Sequence, residues 1–87
     1  SSGKEAYLKN KQQEKELKKL QNRLSKIEKL ISEKEKEIMN LDAEIFENSE
    51  EVTSNPDFFK TYQASKDKLD EFMVEWEELQ ENIDECT

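Results

Sequence analysis

From Leu17 onward, apolar residues return at intervals of alternately three and four: Leu17, Leu20, Leu24, Ile27, Ile31, then Lys34, then Ile38, Leu41 and Ile45. That is the seam of a heptad-repeat helix with one polar interruption, Lys34, a residue that sets register while its long stem carries the amine outward. The same rhythm resumes at Phe58, Tyr62, Ser65, Leu69, Phe72, Trp76, Leu79, Ile83 and Cys86. The pattern therefore predicts two long helices with one apolar stripe each, over about residues 4–47 and 56–86, joined by a turn at about 48–55.

Local chemistry agrees with these limits. Within ENSEEVTSNP, residues 47–56, Asn55 suits the N-cap of the second helix, and Pro56 suits its first position, where the missing N–H would have no partner anyway. Asp57 then sits at the positive end of the helix dipole. At the chain start, Ser2 followed three residues later by Glu5 has the spacing of a capping box.

Folding the chain back at the turn aligns the two stripes with a single constant. Residue numbers that sum to 103 pair Ile45 with Phe58, Leu41 with Tyr62, Ile38 with Ser65 and Lys34 with Leu69. The series continues through Ile31 with Phe72, Ile27 with Trp76, Leu24 with Leu79, Leu20 with Ile83 and Leu17 with Cys86. Each layer sets a first heptad position against a fourth, as antiparallel packing requires. The expected fold is all-α, a two-helix antiparallel coiled-coil hairpin in one domain. Phe58, Phe59 and Tyr62 are expected to plug its turn end, and Trp76 and Phe72 to pack in the seam. In this register Glu35 approaches Lys66 and Glu37 approaches Lys68, exposed pairs worth about 0–1 kcal/mol each.

At 1.5 Å per residue the first helix is about 65 Å long and the second about 46 Å, so the long first helix overhangs the second by residues 4–16. There the stripe fades to Ala6, Asn10 and Gln13, leaving Tyr7 and Leu8 without a partner in the expected hairpin. Phe59 and Met73 lie off the strict seam and read either as a second layer of hairpin packing or as a partner patch.

Composition narrows the function. The chain has 87 residues, of which 41% are charged and 32% apolar, and this is too little apolar material for a globular core around a catalytic cleft. Net charge is −8 overall, yet residues 1–29 carry +5 and residues 48–87 carry −9. The acidic run Asp67 to Glu85 is expected to lie alongside the basic part of the first helix and partly neutralise it. Overall acidity argues against indiscriminate binding to nucleic acid or anionic membrane. Within the basic half, Lys11, Lys15, Lys18, Lys19, Lys26 and Lys29 fall along one outward side, with Arg23 nearby. This face reads either as solvated coiled-coil exterior or as a contact to ribosomal RNA or DNA phosphates.

Other chemistries lack their residues. With no His and one Cys there is no Cys/His metal site, no Cys–His nucleophile and no disulfide within the chain, which suits a reducing cytoplasm. The sole glycine, Gly3, rules out a glycine-rich phosphate loop, and the carboxylates are expected on solvated faces with nothing to tune them for acid or base catalysis. No catalytic, cofactor-binding or metal-binding residue is assigned, and the chain is expected to be no enzyme. No apolar run is long enough to span a bilayer. The missing initiator Met suggests a piece of a larger protein, with Ser1–Gly3 either native or left by cloning.

One resemblance adds to this reading. A long Lys/Glu helix, a turn carrying NPDFF, then Tyr62, Leu69 and Trp76-Glu77-Glu78-Leu79 at intervals of seven resembles the C-terminal coiled-coil domain of the ABC-F ATPases, proteins with two tandem ATP-binding cassettes and no membrane domain. The resemblance covers nearly the whole chain. It implies a cytoplasmic parent of the kind labelled ABC transporter ATP-binding protein, acting on ribosomes in translation, with ATP and Mg bound by its cassettes and none by this chain. The hairpin would be an accessory docking element for the cassettes or for ribosomal RNA. The tRNA-contacting coiled-coil arm of valyl-tRNA synthetases is similar in having two helices and an Asn-Pro turn, but its second helix is expected to lack the W-E-E-L sequence. A structural spacer or dimerisation rod is the third reading.

Overall fold

The computed structural model describes residues 2–87, Ser2 by its backbone alone. Three helices follow in order: α1 (Ser2–Glu47), α2 (Ser49–Thr53) and α3 (Pro56–Cys86). The molecule measures 74 × 15 × 15 Å. Since α1 alone, with 46 residues, is about 69 Å long, α3 must run back beside it and not onward from it. The fold is an all-α helical hairpin.

Polar contacts between the long helices give the direction and offset. The Tyr62 hydroxyl donates to Asp42 Oδ1 at 2.6 Å and Ser65 Oγ to Glu37 Oε1 at 3.2 Å, pairs whose numbers sum to 104 and 102. Arg23 Nη2 lies 2.7 Å from Glu75 Oε1, a pair summing to 98. Relative to a sum of 103 this is an axial offset of about 7.5 Å, which two extended side chains can span. Low numbers on α3 thus meet high numbers on α1, so the helices are antiparallel.

Burial follows the two stripes. Ile27, Ser65 and Leu79 are buried, and the other seam positions are partly buried, except Cys86, which is exposed. Partial burial is what two helices alone allow, because each seam residue is covered from one direction only. Lys34 is accommodated as a snorkelling residue: its Nζ donates to Glu37 Oε2 at 2.8 Å, one turn along the same helix. All residues 3–16 are exposed. Cys86 shares a recess with Asn10, Gln13 and Leu17, which places the end of α3 beside these residues and leaves the start of α1 as an overhang.

The turn differs from the expected loop. Asn48, at φ −129° and ψ 46°, interrupts α1, and the chain then makes the short helix α2. Its last turn is held by hydroxyls: Thr53 Oγ1 donates to the Ser49 carbonyl at 2.8 Å and Ser54 Oγ to the Glu51 carbonyl at 2.9 Å. Helix α2 buries Val52 to 3% exposure, so Val52 helps close the turn end that had been assigned to three aromatics. Phe58 and Tyr62 are partly buried, and Phe59 remains exposed while meeting Phe58 edge-on at 5.5 Å. The start of α3 follows the local chemistry. Asn55 is extended, its Oδ1 accepts from the Asp57 N–H at 3.1 Å, and Pro56 opens the helix. The capping box expected at Ser2 depends on a side chain outside the described residues.

Candidate functional site

The basic part of α1, residues 1–29, carries nine of the chain's fourteen Lys and Arg residues. Lys11 and Lys18 occupy one outer heptad column, Lys15 and Lys29 a second, Lys19 and Lys26 a third, so the three columns together form the side facing away from α3. All six lysines are exposed, and among the described residues none forms a hydrogen bond or ion pair. The strip from Lys11 to Lys29 runs about 27 Å along the axis. Lys11 and Lys15 belong to the stretch of α1 that shares a recess with Cys86 at the end of α3.

Arg23 behaves differently from the lysines grouped with it. It occupies the flank next to the seam, and its guanidinium makes two contacts to Glu75, at 2.7 and 2.9 Å. It is the single ion pair that bridges the helices among the described residues. The expected neutralisation of the basic half by α3 is therefore direct at one residue only. On the same side, Lys19, Arg23 and Lys26 line a recess of about 520 Å³ together with Leu20 and Leu79.

The flanking pairs read from the register do not form. Lys66 places its amine 4.9 Å from the centre of the Tyr62 ring instead of reaching Glu35. Lys68 bonds to Glu71 at 3.2 Å and covers Phe72, while Glu37 takes Lys34 and Ser65 as partners. Partners on the same helix need no coordination between two backbones, and exposed ion pairs differ too little in energy to prefer the longer reach. The Lys34 hydrogen bond, with help from its charge and from Ser65, holds the Glu37 carboxyl below the usual glutamate range despite some opposing desolvation.

Among the described residues, no group of three or more His, Cys, Asp or Glu side chains could hold a metal ion, and no helix is long and apolar enough to cross a membrane. The residues that sequence reasoning missed were Val52, Asp42 and Glu75. Val52 had a readable signal, since it falls seven residues after Ile45 and continues the first heptad column; the other two had none beyond their position beside the seam. No family model matches the sequence, and no curated protein and no solved structure is detectably similar to it.

Proposed function

We propose that this hairpin is an accessory arm of a larger protein and that the outer lysine strip of α1 contacts the phosphate backbone of structured RNA. The supporting observation is the strip itself: six exposed lysines on the outer columns of α1 that form no hydrogen bond or ion pair among the described residues. Lysine cations on a straight helix neutralise phosphates without reading bases, so binding is electrostatic and steeply salt-dependent. The NPDFF turn and the W-E-E-L sequence, by their resemblance to ABC-F C-terminal coiled coils, support a cytoplasmic ATP-binding parent that works on ribosomes. In that setting the cassettes bind ATP and Mg and deliver the arm, and this chain performs no catalysis.

The test is fluorescence anisotropy with a structured ribosomal RNA fragment over a range of salt concentrations. Weak binding at low salt, fading by physiological salt, is the expected result for the isolated chain. Replacing Lys11, Lys15, Lys18 and Lys19 together with Gln keeps helix propensity and should flatten the salt dependence, by up to about 3 to 4 in logarithmic slope if each lysine meets one phosphate. Unchanged RNA affinity in that variant, with helicity intact by circular dichroism, refutes the reading and leaves the strip as solvated exterior.

A further inference from the structure

At the turn end the hairpin presents an apolar face open to solvent. Phe46 is 89% exposed, Met39 69% and Phe59 42%. Met39 and Phe46 are seven residues apart on α1 and so lie in one line, with Asp42 beside it. On α3 the corresponding line runs from Phe59 to Lys66, again seven apart, past Tyr62. The lines belong to the same side of the hairpin, because Lys66 covers the Tyr62 ring and the Tyr62 hydroxyl bonds to Asp42. Between them is a recess of about 260 Å³ lined by Ile38, Met39 and Leu69 with Glu35 and Asp42. An exposed aromatic cluster with a polar rim is the usual composition of a protein-binding anchor.

Charge selects the occupant. Across the tip, residues 35–66, the chain carries eight acidic residues against three lysines, Lys36, Lys60 and Lys66, and the Lys66 amine lies over the Tyr62 ring. A phosphate backbone or an anionic bilayer would be repelled. A second copy approaching tip to tip would set two such net-negative ends against each other. A cationic helix meets both features, laying apolar side chains on Phe46, Met39 and Phe59 while its Lys and Arg reach Asp42 and Glu35. We propose that this tip is the docking site for a Lys/Arg-rich amphipathic helical segment of another protein. Along α1, Glu35 and Met39 lie about 9 and 15 Å from Lys29, the near end of the RNA-facing strip, and Phe46 about 26 Å, and the site stands independently of the RNA reading.

The experiment titrates the isotope-labelled full chain with a short amphipathic Leu/Lys helical peptide at low salt, with a scrambled peptide of the same composition as control. Amide shifts should concentrate at residues 38–47 and 58–69. Phe46→Ser combined with Phe59→Ser, both at exposed positions, should weaken binding about tenfold while leaving helicity unchanged. Glu35→Gln should weaken it further. Shifts centred instead on the acidic run 67–85, equal binding of the scrambled peptide, or undiminished affinity in the double variant would each overturn the proposal. So would concentration-dependent self-association of the chain that Phe46→Ser abolishes, since that result gives the face to a second copy.

Discussion

Ile27→Ala is the most informative perturbation of the fold. Ile27 is the one large side chain that is completely enclosed among the described residues, at 0% exposure, whereas the other seam isoleucines keep some contact with solvent. Truncation removes three carbons, worth about 2.4 kcal/mol in transfer free energy at roughly 0.8 kcal/mol each. The unfilled space adds to this, for a total of about 3–4 kcal/mol. Typical stabilities of about 0.05–0.15 kcal/mol per residue put a chain of this length at roughly 4–13 kcal/mol. With only Ile27, Val52, Leu79 and Ser65 buried among the described residues, the low end applies. Ile27→Ala should therefore remove most of the stability. Ile83→Ala deletes the same atoms at a partly buried position near the open end and should cost distinctly less. Urea denaturation followed by circular dichroism measures both. An Ile27→Ala cost below about 1 kcal/mol, or one no greater than that of Ile83→Ala, refutes the assignment of Ile27 to the most enclosed layer.

Three smaller effects follow from individual contacts. Asn55→Ala removes the side-chain acceptor of the Asp57 N–H and should cost about 1 kcal/mol in the same urea assay, and no measurable cost would mean that the cap is dispensable. A double-mutant cycle on Arg23→Ala and Glu75→Ala should give a coupling of at most about 1 kcal/mol, because the two side chains are 44% and 36% exposed, and high salt should abolish it. Glu37 has a lowered pKa in the folded chain, so its stabilising contribution is present above the pKa of an unfolded glutamate and is lost as pH falls through the lower folded value. Carbon-detected NMR titration should show the Glu37 carboxyl moving back toward the ordinary range in Lys34→Met. An identical titration in both proteins contradicts the Lys34 hydrogen bond as the main cause.

The helices, their stripes and the start of α3 were legible because each depends on residues close together in one chain. A three–four spacing forces side chains onto one face wherever the helix lies, and Asn55-Pro56-Asp57 caps a helix by contacts within two residues. Even the antiparallel return could be read, since reversing one stripe against the other aligns every layer with one constant.

What the tertiary structure alone decided lies at the edges of the seam. Long charged side chains there choose among several partners within reach, and the choices differ by less than about 1 kcal/mol, so small rotations of either helix settle them. That is why Lys66 covers Tyr62 and Glu37 bonds to Lys34, while Arg23, a flanking cation, bridges to Glu75. The fate of apolar residues off the stripe is decided in the same way. A two-helix fold has open flanks, so Phe59 and Met73 could have been covered or bare, and both are exposed. The short helix α2 turns Val52 inward as part of the closure and leaves Phe46 outside. Heptad spacing determines which residues share a line on a helix; the rotation of that line toward a partner or toward water depends on both helices and the turn together.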